Sequence, residues 1–323
     1  MEKYQKLKNS MPIYQNFFNA NIRPNWIGLL KDGRISCLTN NNLFIIFNGS
    51  NFIIENKFAL TEYIIEKKNS LVNNLEKFSQ LNNSNLVVFN NSIYICKIGN
   101  NSINLLYKLL GHKEGVDSVI EAKNKKLISS SRDKTFKIWE FQKSKKNYVC
   151  INTIVQGKDY HSHIEFIKDD EFIFISYVIR FYEYKNQNIT KKSVIDKVDC
   201  TNLFAKINKI GFIPCISSNG INVVDLDKKK LLYIFKTKDI MADIQSIIKL
   251  NNNNLIIIGF QGKFTDKKSV LKELEFKNNK IEEIMSQELD STYWCKGIIE
   301  TKRENEVILI LICGEMKFYV KIK

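Results

Sequence analysis

Short apolar runs built on a two-residue period recur along the whole chain, and no stretch sustains a helical period over the length of a helix. The runs LFIIF (43–47), LVVF (86–89), IYICKI (93–98), FIFISYVI (172–179), INVVDL (221–226), LIIIGF (255–260) and VILILIC (307–313) have the length and β-branched content of strands. Between them stand the polar punctuators KDGR, NNSN, RDKT, KDD, SNG, NNNN and KREN, each joining two apolar segments as a hairpin turn does. This patterning predicts an all-β chain of consecutive antiparallel hairpins.

The hairpins group by fours, into units at 24–66, 70–110, 113–157, 159–196, 198–237, 239–287 and 291–323. Seven units in 323 residues average about 46 residues each, close to the ~40–45 of a repeating four-stranded unit. One such sheet cannot bury both of its faces, whereas radial stacking about an axis buries them all. The expectation is a single β-propeller over 24–323, with seven four-stranded blades. The last unit ends on its third strand, EMKFYVKIK (315–323). Its outer strand is therefore expected from the N-terminal arm, residues 1–23, with 13–18 (IYQNFF) as the donor, since an open edge is a liability.

The third unit is the most specific. Its segment 111–141, GHKEGVDSVIEAKNKKLISSSRDKTFKIWEF, closely resembles a WD40 repeat. Gly111-His112 matches the GH dipeptide, and 26 residues separate it from Trp139-Glu140 at the WD position. LISSSRDKTFKIW matches the family's second strand, tight turn and third strand. The resemblance implies a structural tetrad in which the Trp139 indole donates to a strand serine, Ser129 or Ser131. That hydroxyl would meet His112, which Asp133 would fix. A buried donor left without its acceptor costs about 1–3 kcal/mol, so such a chain stands or falls together. Elsewhere the motif is degraded: SIYICKIG, IRFYEYKN, GINVVDLD and MKFYVKIK keep the alternation without the indole. The fifth unit keeps Asp225 and Asp227 near the place of the final Asp.

Catalytic chemistry finds little support. The chain has three histidines. His112 belongs to the tetrad; His161 and His163 share one strand face, with Asp159 and Glu165 nearby, but no third His or Cys joins them. His161 falls at the GH position of the fourth unit, which favours loop capping over a metal. GxSxG, GxxxxGK[ST], GxGxxG and HExxH are absent. The pairs Asp169-Asp170 and Glu282-Glu283 sit in turns or outer strands and read as solvated surface. The expectation is a non-enzyme without metal or cofactor.

The WD40 resemblance implies a binding surface on the narrow end formed by the loops entering each first strand and the turns between second and third strands. Arg132, Tyr160, Arg180 and Trp294 are the anchor candidates there, whereas Trp26 reads as core. Phosphopeptide readers converge several arginines, and five scattered ones do not. The FRRG of phosphoinositide-binding propellers is missing. Phe141, Gln142 and Lys143 follow the WD position, where ligase adaptors often carry Arg two residues on. A scaffold or adaptor for protein partners is the function implied.

The charge, 49 Lys+Arg against 34 Asp+Glu for a net +15, supplies the alternative: an RNA- or ribonucleoprotein-associated basic propeller. An enzyme of the propeller class is a more distant one. Only five of the basic residues are Arg, the residue nucleic-acid readers favour, and Lys, Asn, Ile, Phe and Tyr are all common. A eukaryotic AT-rich genome accounts for much of that bias. Lys runs occur at 143–146 and 228–230. The seven cysteines are scattered and form no CxxC, as reduced thiols without disulfides do. The N-terminus lacks the apolar core of a signal peptide, and the longest apolar run is 307–313. Against the ~20 residues that span a bilayer, no membrane span is expected. These features predict a cytoplasmic protein, with a nuclear location as the alternative.

Overall fold

The computed structural model describes residues 3–6, 24–40, 43–48, 53–60, 77–99, 102–155, 163–196, 198, 200–216, 220–237, 244–261, 268–289, 295–303, 306–313 and 315–322. Among these residues every regular element longer than a turn is a β-strand. β1 (Lys3–Lys6) comes first. β2 (Pro24–Leu29), β3 (Ile35–Thr39), β4 (Leu43–Phe47) and β5 (Ile54–Ala59) form one sheet. The next is β6 (Lys77–Gln80), β7 (Leu86–Phe89), β8 (Ile93–Ile98) and β9 (Ile103–Leu109). β10 (Val116–Glu121), β11 (Leu127–Ser131), β12 (Thr135–Gln142) and β13 (Asn147–Val155) follow. Then come β14 (His163–Phe166), β15 (Glu171–Ile175), β16 (Ile179–Lys185) and β17 (Asn188–Ile195). β18 (Ala205–Ile207), β19 (Ile210–Pro214), β20 (Gly220–Asp225) and β21 (Lys230–Lys236) make a further sheet. So do β22 (Ile244–Lys249), β23 (Leu255–Gln261), β24 (Lys268–Lys277) and β25 (Lys280–Glu288). β26 (Cys295–Arg303), β27 (Glu306–Cys313) and β28 (Glu315–Ile322) end the chain.

The blade expectation needs correcting in its construction. Among the described residues, six four-stranded sheets are each complete in one contiguous stretch of chain; the remaining sheet is composite, ordered β1-β28-β27-β26. Its outer strand is not the segment assigned from sequence. Residues 13–18 lie outside the described residues, and β1 pairs antiparallel with β28 from Lys3↔Ile322 to Lys6↔Tyr319. The polar KYQK carries none of the apolar signal that drew attention to 13–18, because an edge strand is recognised through its backbone and not its side chains. A second correction concerns FIFISYVI, which is two elements: β15 stops at Ile175, residues 176–178 turn, and β16 starts at Ile179.

The chain forms two compact units. One comprises Met1–Ala59, Leu203–Val224 and Leu232–Lys323, the other Leu60–Asn202 with Asp225–Leu231. Within the first, the unbroken apolar strands are explained by burial on both faces. Leu255 and Ile257 of β23 pack with Phe212, Ile221 and Val223, whereas Ile256 and Ile258 pack with Leu309 and Leu311. β27 repeats the arrangement: Leu309 and Leu311 face β23, and Ile308 and Ile310 face Ile27, Ile35 and Ile45. A strand sandwiched between two sheets has no polar side to show, so the period-two signal fills in. In the second unit Leu127 and Trp139 join Val87, Phe89 and Ile95, and Ile128, Phe136 and Ile138 join Phe172, Phe174 and Tyr182.

Two local devices recur. The third and fourth strands of a sheet slip register between Ile46 and Phe47, Ile95 and Cys96, Ile138 and Trp139, Phe181 and Tyr182, and Glu273 and Leu274. The position occupied by the indole in one sheet is thus Phe, Cys, Tyr or Leu in others, on the same bulge. The first and second strands are joined by a tight turn in which the amides of Leu30, Leu81, Ala122 and Leu250 donate to carbonyls four residues on. Its fourth residue is left-handed, at φ 85° for Gly33 and 64–66° for Lys125, Ser84 and Asn253.

Candidate functional site

The most connected polar cluster grows from the loop between β9 and β10 and the turn between β11 and β12. Gly111 lies at φ +150°, where side chains are rarely accommodated, and a Cβ there would stand 3.4 Å from the Trp139 ring. That turn brings the next residue, His112, edge-on to the indole, ring centroids 6.1 Å apart. Trp139 Nε1–H donates to Ser129 Oγ over 2.9 Å. His112 Nε2 lies 2.7 Å from Ser129 Oγ, and its Nδ1 lies 2.8 Å from Asp133 Oδ2. Ser129 is fully buried, Trp139 1% exposed, and the His112 and Asp133 side chains 2% and 6%.

Of the two serines left open by the sequence, Ser129 takes the indole. Ser131 instead braces the turn, donating to the Glu114 carbonyl at 3.2 Å and accepting the Asp133 amide at 3.1 Å. Thr135, which the sequence reading passed over, donates to Asp133 Oδ1 at 2.7 Å through its hydroxyl and at 3.0 Å through its amide. The Lys113 amide reaches Asp133 Oδ2 at 2.9 Å. The signal was present as the T of RDKT, two residues after the aspartate.

The electrostatics follow from burial and bonding. Burial disfavours an ionised Asp133, but the bonds from Thr135, the Lys113 amide and His112 outweigh it and hold the carboxyl at about 2. Burial pushes the His112 pKa down, the Asp133 carboxylate opposing it only in part. A neutral ring protonated at Nδ1 fits the chain: it donates to Asp133 while Nε2 accepts the Ser129 hydroxyl proton, leaving the serine oxygen to accept from Trp139. Every donor then has one acceptor. Such a ring is committed to structure and offers no lone pair to a substrate.

Around this cluster the same end of the second unit carries two of the recognition candidates, Arg132 and Arg180. Arg132 donates from its amide to the Gly115 carbonyl at 2.9 Å and from Nε to Asp117 Oδ1 at 3.1 Å, so it ties the loop to β10. The Arg180 guanidinium carbon sits 5.6 Å from the centroid of the Phe174 ring. Tyr160, Trp294, His161 and Asp159 lie outside the described residues. His163 Nε2 is 3.3 Å from Glu165 Oε2, and no group of three His, Cys, Asp or Glu converges among the described residues. Asp225 Oδ1 accepts the amides of Asp227 and Lys228, at 3.0 and 2.8 Å, in the turn after β20. Cys37, Cys96, Cys150, Cys200 and Cys215 are free thiols.

The other residues missed by sequence reasoning are large and apolar or aromatic. Leu110 follows β9, Val155 and Val194 stand at the ends of the outer strands β13 and β17, and Tyr177 sits in the turn between β15 and β16. They are 62%, 78%, 39% and 57% exposed. Register places Val155 opposite Thr135 and Val194 opposite Arg180, at the same strand ends as the His112 cluster. Tyr177 was hidden inside an apolar run read as one strand.

No family model and no curated protein sequence matches the chain. Solved structures do. The structure titled "Crystal structure of RRP9 WD40 repeats" superposes with a TM-score of 0.71 at 10% identity, covering 99% of this chain and 100% of that one. "Structure of U3-55K" matches with a TM-score of 0.69 at 10% identity over 94% and 97%. The WD40 β-propeller domain of Doa1 matches with 0.64 at 10% identity over 95% and 95%. The chain is a β-propeller with the fold of the WD40-repeat structures.

Proposed function

We propose that the protein is a non-catalytic scaffold that holds protein partners on the loop end carrying the His112 cluster. The observation behind this is the co-location of Leu110, Val155, Tyr177 and Val194, exposed and apolar, at one end of a rigidly hydrogen-bonded unit. Locked turns lose little entropy when a partner binds, and exposed aromatic and aliphatic side chains supply the contact area. The inward chemistry is consistent with this, since His112 and Asp133 are saturated by their own bonds. Among the described residues no helix is long and apolar enough to cross a membrane, and a cytoplasmic or nuclear location fits the reading. The test is crosslinking of the full chain to captured proteins with the contact sites mapped. Crosslinks on Tyr177 and its neighbours, lost in Tyr177→Ala/Val155→Ser at unchanged melting temperature, support the reading. Crosslinks that avoid this end in every captured partner refute it.

A second reading, association with RNA, is favoured by the net charge of +15 and by where the unpaired lysines stand.

A further inference from the structure

The opposite end of the second unit, made by the turns β10–β11, β12–β13 and β16–β17, differs in character. Lys125, Lys143, Lys145, Lys146 and Lys185 are all exposed there, and none has an ion-pair partner among the described residues. Four carboxylates at this end are already engaged. Glu121 accepts the Asn82 amide, Glu140 holds Lys126 at 2.9 Å, Asp169 pairs with Lys123, and Glu171 holds Lys229 at 2.7 Å. The surplus at this end is therefore positive, with Glu183 acting on Lys185 and Asp170 exposed in the β14–β15 turn as the nearest remaining acids.

Lys125, Lys146 and Lys229 occupy left-handed conformations at φ 64°, 47° and 54°. Among the described residues the same conformation is taken by Asn186, Asn208, Asn253, Asn278 and Asn279, which tolerate it better, and by Ser84, Gln187 and, at the opposite end, Lys134.

An aromatic group completes the arrangement. Phe141, 40% exposed at the end of β12, is held by Tyr107 at 5.3 Å and Tyr148 at 5.5 Å between ring centroids, and those two rings are 5.5 Å apart. The β12–β13 lysines begin two residues beyond it. A fixed aromatic face beside a row of lysines is what a single-stranded nucleic acid needs: stacking for an unpaired base and point charges for its phosphates. A membrane surface would ask for several protruding apolar side chains, and Phe141 is alone in that respect among the exposed large hydrophobics of these turns. Exposed Asn82, Asn83 and Ser144 add amides and a hydroxyl able to pair with a ribose 2′-OH.

We infer that this end of the second unit binds single-stranded RNA, with Phe141 stacking on a base and Lys125, Lys143, Lys145, Lys146 and Lys185 holding successive phosphates. The inference rests on the RNA reading and gives it a location. The probe is a fluorescein-labelled 15-nucleotide oligouridylate, titrated with the full chain between 50 and 300 mM KCl. Duplex RNA, the matching DNA strand, polyglutamate and phosphatidylcholine/phosphatidylserine vesicles are run in parallel. Lys143→Gln/Lys145→Gln/Lys146→Gln should weaken binding at least tenfold and flatten the salt slope by about two, at roughly 0.7 for each phosphate no longer neutralised. Phe141→Leu should cost roughly tenfold without changing that slope, and Phe141→Tyr should retain binding. Lys113→Gln/Lys191→Gln removes charge away from this patch and should leave affinity within twofold. No binding by the unaltered protein, or tighter binding to vesicles or polyglutamate, overturns the RNA reading itself. Binding that survives the triple variant, or falls equally with Lys113→Gln/Lys191→Gln, overturns only the location.

Discussion

Trp139 Nε1–H donates to Ser129 Oγ over 2.9 Å, and that single bond sets the direction of each proton behind it. The serine oxygen, having accepted from the indole, turns its own hydrogen to His112, whose other nitrogen then donates to Asp133. Removing the indole donor leaves the buried Ser129 oxygen without the hydrogen bond it accepts. Trp139→Phe should therefore lose about 1–3 kcal/mol in denaturant unfolding beyond the change in packing. Ser129→Ala should fall in the same range and below Ser131→Ala, whose role is confined to the turn. Equal stabilities for the two serine variants would contradict the assignment of Ser129.

The same chain makes stability fall in acid, in two windows. His112 has a folded pKa below its ordinary 6.5, so the unfolded chain takes up the proton first. Its contribution is whole above that value and is lost as pH drops below it. Asp133, held at about 2 against an ordinary 3.8, contributes fully above 3.8 and loses its share between 3.8 and about 2. Melting temperature measured from pH 8 to 3 should decline in both windows. His112→Asn should be less stable throughout yet flatter between pH 7 and 5, and Asp133→Asn flatter below pH 4. Parallel curves for the parent and His112→Asn would exclude this linkage.

What could be read from the sequence was whatever depends on side chains. The central strands announce themselves because alternate residues such as Ile256 and Ile257 are buried against different sheets. The tetrad is legible because Gly111, His112, Asp133 and Trp139 each do something no other residue does as well. β1 was not legible, since Lys3–Lys6 pairs through backbone groups that any sequence offers. Tyr177 was hidden because a turn of three residues inside FIFISYVI carries no Gly, Pro or Asn to mark it. Thr135 was within reach, but its role depends on a geometry only coordinates supply.

Neighbouring sheets are also joined through their turns, by a hydrogen bond that occurs twice among the described residues. Glu121, the last residue of β10, accepts the Asn82 amide in the preceding sheet's first turn; Glu300 of β26 accepts the Asn251 amide, at 2.7 Å, in the corresponding place. A carboxylate on a backbone donor is a charge-assisted bond, stronger than its neutral counterpart. Glu121→Gln and Glu300→Gln should each lower stability by about 1 kcal/mol. The two carboxylates belong to different units and share no bonding partner, so the double variant should show the sum. A double variant no worse than either single one would mean that these carboxylates do not join the sheets.

The composite sheet makes a prediction that separates backbone pairing from side-chain packing. β28 runs along β1 through four register pairs, so deleting residues 1–6 exposes the outer edge of β28 to solvent. The cost of the unmade ladder bonds is about 1 kcal/mol or less each, net. The truncated chain should remain folded by circular dichroism but melt several degrees lower, at roughly 2–4 °C per kcal/mol for a chain of this class. Its open edge should also recruit a second copy, giving concentration-dependent dimers by sedimentation. Replacing Lys3–Lys6 with four β-favouring residues of different identity should restore the parent's melting temperature, since the pairing is made by the backbone. If that replacement fails as the deletion does, the side chains of β1, and not its hydrogen bonds, hold the two ends of the chain together.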